Sequence, residues 1–150
     1  MKSTTRTGFG TSPGFSRDLD FKKIITALAA WKFPEKIDGV VAIANDGVVP
    51  GVLVAQRLGV GFKTITIHYR NEANETQFAQ PQLVSSVPGV GGWKRILLVD
   101  DLWVTGKSWN TARTMLPRNA EVFPFVFMGD VDCALFRSAA RHVEWPWGMY

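Results

Sequence analysis

The sequence predicts an α/β domain with a central, mainly parallel sheet flanked by helices. Short, fully apolar runs at 40–44 and 96–99 lack the polar alternation of half-exposed strands, which is typical of strands buried on both faces. Between such runs, stretches with apolar residues at helical spacing predict helices. Strands that alternate with helices are joined by right-handed crossovers, so the strands run parallel and the helices cover the sheet.

The elements follow one another without an internal repeat. Apolar periodicity and the positions of proline and glycine predict helices at 18–33, 50–58, 107–116 and 133–140, and strands at 39–44, 63–69, 95–100 and 122–128. Asp18 is the expected N-cap of the first helix, and Pro34 ends it. The polar stretch 70–82 is expected to be a mobile loop, because loops of that length in compact domains are usually functional or disordered.

Length and composition favour a single domain. A chain of 150 residues with 46% hydrophobic content can bury one sizeable core and leaves little room for a second. We expect residues 1–17, which contain no acidic side chain, to form a flexible tail, and residues 18–150 to form the domain.

Composition also argues against several function classes. Cys133 is the only cysteine, which excludes an intramolecular disulfide or a multi-cysteine metal site. No apolar run approaches the ~18 residues of a membrane span, and the N-terminus lacks a secretory apolar core, so we expect a cytoplasmic protein without a membrane partner. The formal charge of +4 comes from scattered basic residues, which predicts no nucleic-acid partner.

Residues 95–108 carry the clearest functional pattern. An aliphatic strand runs into two adjacent carboxylates, Asp100 and Asp101, and then into a small turn that opens a helix. Ligands of open parallel sheets bind beyond the carboxyl ends of the strands. Carboxylates there can accept hydrogen bonds from sugar hydroxyls or hold a hard cation, and the backbone N–H groups from Thr105 to Ser108 suit a phosphate. The pattern therefore predicts a site for a phosphorylated sugar.

Two other interpretations of this segment compete with the sugar-phosphate site. It could be a structural strand whose aspartates are merely solvated before a helix cap. It could also be a nucleotide P-loop, since Gly106-Lys107-Ser108 matches the second half of that motif. The P-loop needs glycine where this chain has Asp101, because its backbone wraps the phosphates there, so a P-loop kinase is the weakest interpretation.

Residues 95–108 resemble the phosphoribosyl pyrophosphate (PRPP) motif of type I phosphoribosyltransferases, in which aliphatic residues precede two acids and a Thr-Gly-x-Ser/Thr turn. From about residue 15 to 149 the order of segments is most similar to the bacterial xanthine-guanine phosphoribosyltransferases, including the terminal Glu144-Trp145-Pro146-Trp147. The resemblance implies a sheet of about five strands with a small hood built from the terminal segments. It also implies Mg²⁺-dependent transfer of a 5-phosphoribosyl group from PRPP to a nucleobase in purine salvage, with release of pyrophosphate.

For PRPP, the resemblance implies that Asp100 and Asp101 hold the ribose hydroxyls and that Asp101 also holds Mg²⁺. The turn that binds the 5′-phosphate would comprise Val104, Thr105, Gly106, Lys107 and Ser108. The loop 70–82 would close over the site to exclude water, and its only cation, Arg70, joins the two aspartates as a catalytic candidate. Such a reaction depends on positioning and charge stabilisation rather than on a nucleophile.

The expected pyrophosphate loop, Asn45-Asp46-Gly47, departs from the family pattern. Its Pro50-Gly51 ending is typical, but Asn45 and Asp46 occupy positions where purine enzymes tend to have Arg-Gly or Lys-Gly. The Asp46 carboxylate would oppose the pyrophosphate unless it turns away or helps to hold magnesium. Like charges ~4 Å apart repel by about 4 kcal/mol at an effective dielectric constant of 20.

The expected base-binding residues are Met128, His142 and Val143. His142 aligns with the aromatic residue that stacks on the base, whereas Met128 replaces the lysine that meets a purine 6-oxo group. Val104 replaces the acid proposed to handle the N7 proton. The resemblance therefore favours a purine, but guanine and xanthine are expected to be poor substrates.

These departures leave an alternative function open: a catalytically weakened PRPP- or nucleotide-binding regulatory protein. The intact PRPP motif favours the active transferase over that alternative. Six tryptophans favour a buried subunit interface, so a homo-oligomer, either a dimer or a tetramer, is expected.

Overall fold

The computed structural model describes residues 15–16, 19–68, 82–83 and 89–148. The helices and strands in these ranges are β1 (Phe15–Ser16), α1 (Phe21–Ala30), β2 (Gly39–Ala44), α2 (Val48–Leu58), β3 (Gly61–His68), β4 (Gln82–Leu83), β5 (Arg95–Trp103), α3 (Lys107–Thr114), β6 (Glu121–Gly129), β7 (Ala134–Arg137) and β8 (His142–Val143). None of the three helices found there has the length and apolar character needed to span a membrane.

Six of the strands form one sheet in the order β4-β3-β2-β5-β6-β7. Strands β3, β2, β5, β6 and β7 are parallel, and β4 pairs antiparallel with β3 at the edge. The predicted parallel sheet of about five strands is confirmed. Because β2 and β5 are neighbours, with Ala42 opposite Val99, the residues that follow these strands meet at one edge of the sheet.

Helices cover both faces of this sheet, so its central strands are buried on both sides. Successive residues of β5 point to opposite faces, as the twofold periodicity of a strand requires. Val99 lies in the apolar cluster that contains Val54 of α2, whereas Leu98 lies in the cluster that contains Ala112 of α3. Burying each such aliphatic side chain contributes ~1.5–3 kcal/mol, which makes the central strands a rigid base for the residues at their ends.

The helix predicted at 133–140 is wrong, because this segment contains strand β7. Ala134 pairs with Val126 of β6, and Phe136 pairs with Met128. Only residues 130–133 connect the two parallel strands. The helix-forming residues of this segment are overridden because the open edge of β6 offers backbone hydrogen-bonding groups, and tertiary pairing outweighs local propensity.

The first helix begins later than the sequence predicts. Its N-cap is Asp20 instead of Asp18, and Oδ1 of Asp20 accepts a hydrogen bond from the Lys23 N–H at 2.8 Å. Leu19, directly before the cap, is buried, so the helix starts only after this side chain has entered the core. The rest of the predicted tail lies outside the described residues, except for Phe15–Ser16.

The terminal segments meet in a separate two-stranded sheet. Strand β1 pairs parallel with β8, with Phe15 opposite His142 and Ser16 opposite Val143. This pairing is the small hood that the resemblance implies. It brings the C-terminal segment toward the carboxyl ends of β2 and β5. His142 of β8 lies close enough to Asp46, in the loop after β2, for its charge to lower the pKa of Asp46.

Candidate active site

The carboxyl ends of β2 and β5 bring two segments into contact. The peptide bond between Ala44 and Asn45 is cis. Gly47 lies so close to β5 that a Cβ atom there would be 3.2 Å from Cα of Asp100 and would collide with the carbonyl oxygen of Ile43. The Gly47 N–H donates to that oxygen at 2.9 Å. Glycine at this position therefore lets the loop 45–47 lie directly beside the paired aspartates.

Asp100 and Asp101 lie within β5 rather than after it, because β5 continues to Trp103 along its neighbour β6. Both side chains are half-buried. The N–H of Asp101 donates to Oδ1 of Asp100 at 2.8 Å, and the indole Nε1–H of Trp145 donates to Oδ2 of Asp101 at 3.0 Å. Protein donors therefore orient both carboxyl groups.

Loss of hydration raises the pKa of both carboxyl groups. The pKa of Asp101 rises from 3.8 to about 6, chiefly through burial and then through repulsion from the Asp46 carboxylate, and the hydrogen bond from Trp145 opposes this rise. The pKa of Asp100 lies well above its ordinary value, first because of burial and then because of the Asp101 charge. The pair therefore binds a proton more tightly than isolated aspartates do, and a bound cation would relieve that tendency.

The turn after β5 has the backbone form that phosphate binding needs. Gly106 adopts a left-handed conformation with a φ of 78°, and α3 begins at the next residue. A Cβ atom on Gly106 would lie 2.5 Å from the ring of Trp103, so glycine alone fits this position. The backbone N–H groups and the positive end of α3 thus lie directly after the strand that carries the aspartates.

The side chains of this turn differ in exposure. Thr105 and Lys107 are exposed, whereas Val104 and Ser108 are half-buried. The Lys107 N–H donates to Oγ1 of Thr105 at 3.3 Å, which holds the first residue of the helix against the turn.

Asp46 faces the same region as the paired aspartates. Its carboxylate raises the pKa of both Asp100 and Asp101. Partial burial raises the pKa of Asp46 itself, and the charge of His142 lowers it. The Asp46 charge is therefore close enough to affect the ionisation of the paired aspartates.

The three predicted base-binding residues lie in different environments. Met128 is 0% exposed and belongs to the apolar core, with Leu102 beside it in the sheet. Val143 is buried as well, whereas His142 is exposed in β8. Of the three, His142 alone has an accessible side chain, so Met128 contributes packing where the resemblance implied a base contact. Arg70 lies outside the described residues.

Two tryptophans that support the site are not identified by the sequence pattern. Trp145 donates to Asp101 from 44 positions further along the chain. Trp103 packs across Gly106, and its ring lies 5.9 Å from that of Trp109, whose indole N–H donates to the carbonyl oxygen of Leu98 at 3.0 Å. No local periodicity indicates such contacts. The C-terminal motif Glu144-Trp145-Pro146-Trp147 carries part of the resemblance but does not indicate what its indole groups contact.

A parallel sheet whose central strand carries paired aspartates near its carboxyl end, beside a glycine turn that opens a helix, is typical of α/β proteins that bind their ligands beyond the carboxyl ends of the strands. Residues 17–140 match the family model described as the phosphoribosyl transferase domain. The chain therefore belongs to the phosphoribosyltransferases, an enzyme family.

Relatives within this family act on purines according to their names. The chain is 25% identical to an adenine phosphoribosyltransferase of Anaeromyxobacter dehalogenans, over 88% of this chain and 79% of that protein. It is 33% identical to a xanthine-guanine phosphoribosyltransferase of Nitratidesulfovibrio vulgaris, over 59% of this chain and 53% of that protein. A solved purine phosphoribosyltransferase from Pyrococcus horikoshii shares the fold, with a TM-score of 0.64, 19% identity and coverage of 91% and 96% of the two chains.

Proposed function

We propose that this protein transfers a 5-phosphoribosyl group from Mg²⁺-bound PRPP to a purine base and releases pyrophosphate. The observation that carries the proposal is the position of Asp100 and Asp101 beside the Gly106 turn that opens α3. Family membership supports the reaction type, and the names of the relatives support a purine. The regulatory alternative rests only on the departures at Asp46, Val104 and Met128.

The carboxylates of Asp100 and Asp101 are suitable ligands for Mg²⁺. No three His, Cys, Asp or Glu side chains among the described residues are grouped closely enough to hold a metal ion by themselves. Mg²⁺ in phosphate sites is commonly held by one or two carboxylates together with oxygens of the substrate, and Asp101, helped by Asp100, would provide that share. The bound ion would neutralise charge on the departing pyrophosphate.

The residues of the chain itself would bind and orient the sugar. Once ionised, Asp100 and Asp101 would accept hydrogen bonds from the ribose hydroxyls. The N–H groups of the turn at 104–108 would hold the 5′-phosphate, and Lys107 would add a positive charge. Because the sugar would be held at both ends, its anomeric carbon would face the incoming base, which is how positioning lowers a barrier.

For the base, we propose adenine ahead of guanine and xanthine. A 6-oxo group needs a hydrogen-bond donor, and the position that aligns with the family's lysine is the buried Met128. Val104 cannot exchange a proton with N7. A relative that matches over 88% of this chain is named as an adenine enzyme. Dimer or tetramer formation remains a prediction.

A base panel tests the proposed function directly. The protein is mixed with PRPP, Mg²⁺ and one of adenine, guanine, hypoxanthine, xanthine or orotate, and pyrophosphate release is measured. We expect Mg²⁺-dependent release with adenine at least about tenfold faster than with guanine or xanthine, since a tenfold rate ratio needs only about 1.4 kcal/mol. Orotate serves as the pyrimidine control. Absence of release with every base would contradict the transferase.

Replacing Asp46 with asparagine should tighten PRPP binding and extend it to lower pH. The charge of Asp46 raises the pKa of Asp101, so its removal lets the pair ionise, and bind Mg²⁺, at a lower pH. It also removes repulsion of the diphosphate. Calorimetric titration between pH 5 and 8 measures the effect. AMP, which lacks a diphosphate, should gain less affinity, and weaker PRPP binding would instead show that Asp46 helps to hold the metal.

A further inference from the structure

A hydrogen bond joins the C-terminal segment to the PRPP motif. The indole Nε1–H of Trp145 donates to Oδ2 of Asp101 at 3.0 Å. Trp145 is 8% exposed, so little water competes for this donor. The same contact links a residue beside the hood to the carboxyl group that would hold Mg²⁺.

The position of this indole is fixed by aromatic packing. The rings of Trp145 and Trp147 are stacked, with centroids 5.0 Å apart and planes 5° apart. The ring of Phe127 in β6 contacts both indoles, with centroid distances of 5.9 Å to Trp145 and 6.1 Å to Trp147. The ring centroid of Phe21 in α1 lies 5.7 Å from that of Trp147. Rotation of the Trp145 ring would disrupt the whole stack. The donor therefore has a defined position set by the protein core.

We propose that Trp145 is a positioning residue for phosphoribosyl transfer, because its N–H holds Oδ2 of Asp101 and fixes the plane of that carboxyl group. This inference rests on the proposed function, since it acts through Asp101 as a ligand of Mg²⁺-bound PRPP. The carboxyl group of Asp101 can otherwise rotate about its terminal bond, which is a soft torsion. With one oxygen tied to the indole, the group meets its ligand with less loss of conformational freedom.

The packing of Trp145 and its N–H are separable. Trp145→Phe keeps an aromatic ring in the stack but removes the donor, and Trp147→Phe makes the same change in the neighbouring ring, which is not the donor to Asp101. We expect kcat/KM for PRPP to fall about 10- to 100-fold in Trp145→Phe, as for loss of a hydrogen bond to a charged group. Trp147→Phe should change it less than about threefold, with a similar loss of melting temperature in both variants.

A double-mutant cycle with Asp101→Ala distinguishes positioning from packing. The dissociation constant of PRPP in the presence of Mg²⁺ is measured by calorimetry, which requires no turnover. Trp145→Phe should weaken PRPP binding in the native background and leave the residual binding of Asp101→Ala unchanged, because the indole then has no carboxylate to hold. In a ¹⁵N spectrum, the Trp145 indole N–H resonance should move upfield in Asp101→Ala.

The outcomes separate this inference from the proposed function. If the native protein binds PRPP and Trp145→Phe binds it equally well, or weakens it by the same factor in both backgrounds, the positioning role is overturned and the transferase stands. If the native protein does not bind PRPP at millimolar concentration with Mg²⁺, the proposed function fails and the inference fails with it.

Discussion

Replacing Asp100 and Asp101 together with asparagine should abolish most phosphoribosyl transfer and yet make the unliganded protein more resistant to heat above about pH 6. The loss of activity follows from removing the negative charges that would hold Mg²⁺ and accept the ribose hydroxyls, and a fall of about 100-fold or more is expected. The hydrogen bonds from Asp101 N–H and from the Trp145 indole can be kept, because an asparagine Oδ1 accepts them.

The gain in stability follows from the raised pKa values of both groups. A carboxyl group whose pKa is higher in the folded than in the unfolded state stabilises the fold while it is protonated, and this contribution is lost as pH rises from the unfolded value to the folded one. For Asp101 this window runs from 3.8 to about 6. The difference corresponds to ~3 kcal/mol as an upper limit. Asparagine never ionises, so above that pH window the variant avoids the loss of stability that ionisation of the folded carboxyl group causes.

Thermal unfolding at about pH 4 and pH 8 checks this expectation. The double variant should melt several degrees higher than the native protein at pH 8, since ~1 kcal/mol shifts the melting temperature of a domain of this size by about 2–4 °C. The difference should disappear near pH 4. A variant that is less stable at pH 8, or one that retains transfer, would contradict the roles assigned to Asp100 and Asp101.

Asp38, which directly precedes β2, provides a control because its pKa is shifted in the opposite direction. Its Oδ2 accepts hydrogen bonds from the N–H groups of Lys94 at 2.7 Å and Arg95 at 2.9 Å, and these bonds lower the pKa of Asp38. A lowered pKa contributes stability above the unfolded value, which is lost as pH falls. Asp38→Asn should therefore destabilise the protein at pH 8 and leave transfer unchanged.

Replacing Gly106 with alanine should remove most of the affinity for a 5′-phosphate. The φ of 78° is costly for alanine, by ~1–2 kcal/mol, and the new Cβ atom would lie 2.5 Å from the Trp103 ring. The base of the Trp103 side chain lies close to Gly129, where a Cβ atom would be 2.8 Å from the Trp103 Cβ, so Trp103 has little room to shift as a whole. The turn must then rearrange, which would displace the N–H groups that we propose as the phosphate ligands.

Ribose 5-phosphate is the suitable probe, because it carries the 5′-phosphate without a diphosphate or base. We expect its affinity to fall about 100-fold in Gly106→Ala, a loss of ~3 kcal/mol. Gly59→Ala is the matched control: Gly59 also has a positive φ, 68°, but a Cβ atom there meets nothing within 4 Å. It should lower stability and leave ribose 5-phosphate binding intact. Equal affinities in the two variants would show that the turn does not bind the phosphate.

Several features of this protein are local in the chain, and these the sequence determines. The strand β5, the paired aspartates and the turn at Gly106 are consecutive, so an aliphatic run, two acids and a glycine suffice to predict their order in space. Alternating strands and helices predict the parallel sheet for the same reason, because each βα unit permits one handedness. The meeting of the loop 45–47 with β5 is not among these features, because it depends on β2 and β5 being neighbours in the sheet.

Other features depend on contacts between distant segments, and these only the tertiary structure decides. Strand β7 forms because the edge of β6 is open, although its residues favour a helix in isolation. Met128 becomes core rather than a base contact because of how β6 packs, and Trp145 reaches Asp101 because an aromatic stack carries it there. Periodicity reports which face of an element is apolar, but it contains no information on which element covers that face, since hydrophobic burial is non-directional.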